Sequence, residues 1–390
     1  MRIVLAAIVF AAVIHAQPEQ LFNGKDLTGW QMVGPGRFTI ENGMMKTEGG
    51  MGLLWYTGRK IGNETLRVVF KTTGDRDNSG VIVRMPEAPS DAWYGVHNGY
   101  EIQIDAAGPD EWHQTGSIYS LSKAEKKSQK PVGEWNTMEI QMDGQLTRIS
   151  LNGVVVNEFR GDQEPPERKL WYEPVRGRRP DFGFVGLQNH DPRTAVYFRE
   201  VSVLPTDKSP KPMTQGERDR LLSYLHSTRK QLIDATVDLT QAQWNFKPAP
   251  EKWSVAEVVE HLALTEDMLF GYVRQSIHRP APAPAAVTVK TEQLVDGMKD
   301  RSKPANAPAE VKPTGKWPAG PLLVDEFRER RDQLIAWVND TKDPVRMLHA
   351  RWGGNVVEVY QALFTIPGHT ERHLAQIEEV KASPAFPKQP

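Results

Sequence analysis

Three histidines in the C-terminal half of the sequence have the spacing of a metal site. His369 and His373 are four residues apart, so their imidazoles project from one face of a helix and can share one ion. His261 lies near the apolar face of an earlier helical segment, and three imidazoles would leave an open coordination position, as a catalytic metal requires. Glu260 and Gln376 are close enough to orient these ligands. The alternative is that each histidine is a hydrogen-bonded core residue.

Acidic side chains and an arginine are grouped on one predicted sheet of the N-terminal half. Polar residues alternate with apolar ones so that Glu101, Gln103 and Asp105 share one face of a strand. Arg84 lies near the end of another alternating segment, and His190 follows a third. An ordinary solvated face also explains this pattern. Carboxylates beside a guanidinium can bind sugar hydroxyls or transfer protons, which makes this face a candidate site.

Aromatic residues accompany these polar groups in the predicted loops. They are Trp93, Tyr94, Tyr100, Trp112 and Tyr119. Aromatic rings bind the apolar faces of sugars, so the pattern predicts a carbohydrate ligand. The predicted substrate-binding residues are Gln103, Tyr119, Trp93 and Trp112.

The elements that must position these residues differ between the two halves. Short alternating segments separated by turn signals run from Leu21 to about Leu204 and predict an all-β sandwich. After a proline-containing linker the apolar period becomes helical, and four amphipathic helices predict an antiparallel bundle. The predicted boundaries are 1–16 for a signal peptide, 17–205 for the sandwich, 206–213 for the linker and 214–384 for the bundle, with a proline-rich loop at 280–321.

The amino terminus and the composition predict a compartment and exclude some partners. An apolar run after Met1 and Arg2, followed by the small Ala16, predicts a signal peptide and hence a periplasmic or secreted protein. The alternatives are an uncleaved anchor or a buried strand. We expect no stable membrane insertion of the mature chain. Because 48 Lys and Arg balance 49 Asp and Glu, nucleic acid is not an expected partner. The lack of cysteine excludes disulfides and thiolate metal sites.

Two segments around the histidines match a known pattern. Trp253–Leu262 and Gly368–Ile377 resemble motifs of the DinB-like family of metal-binding four-helix bundles, and the resemblance covers about residues 214–384. In that family a histidine of the second helix and an H-x-x-x-H pair of the fourth bind a divalent metal. The resemblance implies the same role for the three histidines, with zinc, nickel or iron compatible with imidazole ligands. Its members catalyse different reactions, so it does not imply one activity.

Six segments of the N-terminal half follow one another in a specific order. They are Leu21–Trp30, Ser79–Arg84, Tyr100–Asp105, Thr115–Tyr119, Trp135–Glu139 and Gly186–His190. Together they resemble the 3-keto-disaccharide hydrolase-like family, a concanavalin-type jelly roll of largely exported bacterial proteins. The two resemblances imply a multidomain chain, in which an all-β jelly-roll sandwich precedes an all-α four-helix bundle.

The implied substrate is a glycoside with a ketone at C3. The ketone acidifies the C2 hydrogen, so a base can remove it and the C1 substituent can leave before water adds. We predict Glu101 as the base, Arg84 as the stabiliser of the enolate, and Asp105 or His190 as the acid that assists the leaving group. Arg84 could instead pair with Asp105, and His190 beside Asp191 could be a turn residue.

The leading interpretation is an exported hydrolase of 3-keto-glycosides that carries a metal-binding bundle. In one alternative the jelly roll only binds carbohydrate and directs a metal-dependent bundle to it. In another neither half is catalytic, and the metal stabilises the bundle.

Overall fold

The structure, a computed structural model, describes residues 17–284, 287–302 and 306–388. The predicted signal peptide at residues 1–16 therefore lies outside the described residues. The chain divides into two units between Pro210 and Lys211. Within the described ranges, no helix has both the length and the apolar character needed to cross a bilayer.

The predicted sandwich in the first unit is confirmed. Its strands are β1 (Glu19–Gln20), β2 (Trp30–Val33), β3 (Arg37–Glu41), β4 (Met44–Glu48), β5 (Gly52–Tyr56), β6 (Thr65–Thr72), β7 (Asn78–Met85), β8 (Tyr100–Asp105), β9 (Asn136–Asp143), β10 (Leu146–Leu151), β11 (Val154–Arg160), β12 (Phe184–Asn189) and β13 (Val196–Leu204), with helix α1 (Tyr94–Asn98) between β7 and β8. One sheet has the order β11-β10-β9-β6-β13-β4-β3, with β1 added beside β13. The second has the order β2-β5-β12-β7-β8 and carries the candidate residues.

Strict alternation determines which residues of β8 enter the core. Tyr100, Ile102 and Ile104 lie between the sheets and are at most 1% exposed. Burying each aliphatic side chain stabilises the fold by about 1.5–3 kcal/mol. Because successive residues point to opposite faces, Glu101 and Gln103 are placed on the outer face of the five-stranded sheet. Tyr100, which we expected in a loop, belongs to the core instead.

The second unit contains the four predicted long helices. The elements are α2 (Gln215–Thr236), α3 (Gln241–Asn245), α4 (Val255–His278), α5 (Thr291–Lys299), a 3-10 turn (Ala309–Val311), α6 (Pro321–Asp340), β14 (His349–Trp352), β15 (Asn355–Glu358) and α7 (Val359–Lys381). Side-chain oxygens of Thr214 and Ser254 cap the starts of α2 and α4, as the sequence predicts. The helix α3 and the β14–β15 hairpin were not predicted, since neither has a long enough periodic pattern.

Candidate functional site

Glu101 is the second residue of β8, and its side chain fills the space above a glycine of β7. Its side chain is buried, with 4% of the residue exposed. A Cβ atom placed on Gly80 of the neighbouring strand would lie 2.8 Å from both Cγ and Oε1 of Glu101. Position 80 therefore requires glycine, because a larger residue would displace the Glu101 carboxyl group.

The surroundings of Glu101 favour its protonated form. Burial raises the pKa of Glu101 to about 8, because a carboxylate loses its hydration there, and a hydrogen bond with Gln188 opposes the rise only in part. A carboxyl group with a pKa near neutrality can both take and return a proton. This residue therefore has the property required of a general base.

Strand register surrounds Glu101 with polar side chains. Gly80 pairs with Gln103 of β8 and with Gln188 of β12, so the two glutamines flank the space above the glycine. Among the described residues, Oε1 of each glutamine and Nε1 of Trp55 are buried without a hydrogen-bond partner. Buried polar atoms are rarely left unpaired in folded proteins, so such a group indicates a place for a polar ligand.

Tyr119 lies on a segment that extends the sheet beside β8. Its backbone N–H donates to the carbonyl oxygen of Glu101 at 2.9 Å. Burial, and secondly the nearby carboxylate of Glu101, raise the pKa of Tyr119 to about 12. The phenol therefore keeps its proton at neutral pH and can donate a hydrogen bond to a substrate.

Arg84 does not join this group, and its predicted role as enolate stabiliser is wrong. Two residues of β7, Val83 and Arg84, oppose the single Val185 of β12, and Arg84 has φ +60° at this bulge. The side chain therefore turns inward, where Nε donates to the Thr147 hydroxyl of the eight-stranded sheet at 3.3 Å. Its other donors bind the backbone oxygens of Gly144, Leu146, Pro180 and Asp181. Arg84 is thus a buried link between the sheets, and it does not pair with Asp105.

Asp105 and His190 lie at strand ends and hold turns. Oδ1 of Asp105 accepts hydrogen bonds at 2.9 Å from the backbone N–H groups of residues 107–108. His190 is exposed, and its Nδ1 lies 3.1 Å from Oδ2 of Asp191. No contact joins either side chain to Glu101 among the described residues. The geometry therefore supports turn roles for both and gives no support to the predicted acid role.

The remaining predicted binding residues lie around this face. Gln103 is buried beside Gly80, as described above. Trp93 is 38% exposed and precedes α1. Trp112 is partly buried, with Nζ of Lys123 lying 5.2 Å from its ring centroid. Gln188 was not among the predicted site residues, although period-two alternation along β12 could have placed it on the outer face.

The three predicted histidines of the second unit come together. His261 of α4 and His369 and His373 of α7 have ligand nitrogens that all lie within 4.8 Å of one another. The Nε2 atoms of His369 and His373 are 3.1 Å apart, so both can contact one ion at the usual distance of about 2.0–2.1 Å. The donor set fits a divalent metal that accepts imidazole ligands.

Hydrogen bonds orient two of these imidazoles. Nδ1 of His261 donates to the carbonyl oxygen of Val311 at 2.7 Å, and Nδ1 of His373 lies 2.8 Å from Oε1 of Gln376. Because each oxygen accepts a hydrogen bond from Nδ1–H, the ring proton stays on Nδ1 and each Nε2 keeps its lone pair for a metal. Burial lowers the pKa of all three histidines, to about 3 for His373. The rings are therefore neutral, which is the form that binds metal.

Glu260 fastens the loop that supplies the Val311 carbonyl. Its buried carboxylate accepts hydrogen bonds from the backbone N–H groups of Thr314 and Gly315 at 2.9 Å and of Lys316 at 3.1 Å. Three donors to one carboxylate form a strong attachment. The proline-rich loop is thereby held against α4 beside the metal ligand.

Comparison with known protein families assigns one family to each unit. The model of the 3-keto-alpha-glucoside-1,2-lyase-like domain matches residues 17–204. The model of the DinB superfamily matches residues 207–377. The chain therefore carries a 3-keto-glucoside lyase-like jelly roll followed by a DinB superfamily helical domain, as both sequence resemblances predicted.

Individual relatives are similar at a moderate level. A 3-keto-disaccharide hydrolase of Bacteroides thetaiotaomicron is 24% identical over 237 residues, covering 48% of this chain and 78% of that protein. The uncharacterized protein YuaE of Bacillus subtilis is 26% identical over 163 residues, covering 41% of this chain and 96% of that protein. A solved structure of a candidate glycosyl hydrolase from Parabacteroides distasonis is 22% identical with a TM-score of 0.41, covering 48% of this chain and 93% of that one.

Proposed function

We propose that the jelly-roll unit cleaves 3-keto-glycosides, with Glu101 as the general base. The observation that carries the proposal is the buried carboxyl group of Glu101, which lies over Gly80 beside unpartnered polar atoms and has its pKa raised to about 8. The match to the 3-keto-alpha-glucoside-1,2-lyase-like domain supports the substrate class.

The reaction needs only one proton acceptor and one hydrogen-bond donor at the ketone. Ionised Glu101 takes the proton from C2, and the electrons of the C2–H bond form the enolate with the C3 oxygen. The enolate then collapses to restore the ketone, forming a C1–C2 double bond as the C1–O bond breaks. Protonated Glu101 returns this proton to the departing oxygen, and water then adds its hydroxyl to C1 and its proton to C2 to complete hydrolysis.

Tyr119 takes the place that the sequence analysis assigned to Arg84. Its hydroxyl keeps a proton at neutral pH and lies near Glu101, so it can donate to the developing enolate oxygen. Gln103 and Gln188 offer amide oxygens to the sugar hydroxyls.

The test uses the full chain with a chemically oxidised 3-keto-glucoside deuterated at C2. We expect turnover with loss of the deuterium to solvent and a drop of at least about 100-fold in kcat for Glu101→Gln. Retention of deuterium through turnover would exclude the elimination, and unchanged kcat in the variant would exclude Glu101 as base.

We also propose that the bundle binds a divalent metal, zinc, nickel or iron, through His261, His369 and His373. The convergence of their ligand nitrogens supports this, and the metal would supply a Lewis acid at that place. A second candidate function follows from it, in which the jelly roll binds carbohydrate and the bundle performs the chemistry. Glycan binding by the full chain without any turnover of 3-keto-glycosides would favour this second function.

We further propose that the protein is exported, on the basis of the amino-terminal apolar run. Residues 1–20 fused to alkaline phosphatase without its own leader should give periplasmic phosphatase activity. Enzyme retained in the cytoplasm would contradict export.

A further inference from the structure

An exposed aromatic surface lies on the jelly-roll unit, and the catalytic step does not use it. The ring centroids of Trp93 and Trp171 are 5.6 Å apart, as are those of Trp171 and Tyr172. Trp171 is 69% exposed and Trp93 is 38% exposed. Apolar surface of this kind costs free energy in water unless a ligand covers it. We call these three residues the aromatic platform.

The aromatic platform adjoins the face that carries Glu101. Helix α1, which follows Trp93, packs on this face. Gly95 of α1 lies so close to Ile82 that a Cβ atom added to it would be 3.1 Å from Cγ2 of Ile82. Ile82 is the register partner of Glu101. On the other side, Tyr119 lies near enough to both Glu101 and Tyr172 to interact electrostatically with each. Helix α1 and Tyr119 therefore both link the platform to the face that carries Glu101.

Arginine side chains hold the segment 171–179 in place at both ends of this surface. Arg176 donates to the hydroxyl of Ser120 at 3.2 Å, one residue after Tyr119. Arg179 donates to the carbonyl oxygen of His97 at 2.8 Å. A surface held in this way loses little conformational freedom when a ligand binds.

His97 adds a polar atom to the aromatic platform. Its ring stacks on Trp93, with centroids 5.9 Å apart and an interplanar angle of 23°. Within the part of the chain that the structure describes, Nε2 of His97 is buried without a hydrogen-bond partner. Aromatic rings for the C–H faces and a nearby polar atom for a hydroxyl are the combination that a sugar ring requires.

We propose that the aromatic platform binds the leaving sugar of a 3-keto-disaccharide, with Nε2 of His97 hydrogen-bonded to one of its hydroxyl groups. This inference rests on the proposed function. Glu101 acts at C2 of the keto sugar, so the ring attached through C1 extends from that position along the same surface onto the platform. The substrate class is then a disaccharide rather than a simple alkyl glycoside.

The test compares two substrates that differ only in the leaving group, 3-keto-maltose oxidised in its non-reducing ring and methyl 3-keto-α-glucoside. In the full-length Trp171→Ala variant we expect KM for the disaccharide to rise about tenfold, and kcat/KM for the methyl glycoside to stay within about twofold. Leu170→Ala, which changes an exposed apolar neighbour, is the matched control and should leave the kinetics with both substrates unaffected. Equal losses on both substrates, or no loss on the disaccharide, would overturn the inference.

A binding measurement distinguishes failure of the proposed catalytic function from failure of the proposed platform. If the wild-type protein turns over neither substrate, its tryptophan fluorescence is titrated with 3-keto-maltose. Quenching that is retained in Leu170→Ala and lost in Trp171→Ala would support the platform while the proposed function fails. Equal fluorescence changes in wild type and Trp171→Ala, or none in either, would overturn the platform as well.

Discussion

Replacement of Glu101 by glutamine should make the protein more stable at alkaline pH while abolishing its activity. Burial raises the pKa of Glu101 from 4.5 to about 8, a shift that corresponds to about 5 kcal/mol. Between pH 4.5 and about 8, Glu101 keeps its proton in the folded state but has lost it in the unfolded chain. The contribution of Glu101 to stability is therefore complete below pH 4.5, and it is lost progressively as the pH rises to about 8.

Chemical unfolding of the wild type and Glu101→Gln between pH 4.5 and 8.5 measures this effect. Because glutamine does not titrate, the free energy of unfolding of the variant relative to wild type should increase by up to about 5 kcal/mol across this range. Glu134, whose side chain is exposed, provides the matched control as Glu134→Gln. A difference between wild type and Glu101→Gln that stays constant with pH would refute the argument from burial.

The same pKa predicts the activity profile of the wild-type enzyme. A general base works only when ionised, so kcat/KM should rise about tenfold per pH unit below pH 8 and become constant above it. A rate profile that levels off near pH 4.5 would show that Glu101 is not the titrating base.

Three further variants test the roles of other residues. Replacing both His369 and His373 by alanine should lower the metal content, measured by elemental analysis, from about one ion per chain to less than about a tenth. The control His226→Ala, at an exposed histidine, should keep its metal. Equal metal content in the wild type and both variants would refute the triad. Glu260→Gln should weaken metal affinity about 10–100-fold in a competition titration, since it loosens the loop behind His261, and unchanged affinity would contradict that role. Arg84→Met should lower the free energy of unfolding by at least about 3 kcal/mol, because several buried carbonyl oxygens lose their donor; a lower kcat with unchanged stability would indicate a catalytic role instead.

Features that depend on short-range sequence pattern were predictable. Alternation along β8 places Glu101 and Gln103 on the face opposite to Ile102, because the side-chain period of a strand is two wherever it is regular. Helical spacing similarly puts His369 and His373 on one face of α7. The family of each unit was also predictable from the sequence, because each family motif combines several such local patterns.

Features that depend on pairing between distant segments were decided only by the tertiary structure. Arg84 continues an alternating segment, but a β-bulge in β7 opposite β12 turns its side chain inward. The sequence of β7 alone does not predict this bulge. Gly80 and Gln188 acquire their importance from the register that sets them beside Glu101. The Val311 carbonyl reaches His261 from a loop fifty residues away in sequence. The local sequence thus determined which face each candidate side chain occupies. Long-range packing decided which of these side chains meet, because the local pattern of one strand does not specify its register with a strand that is distant in sequence.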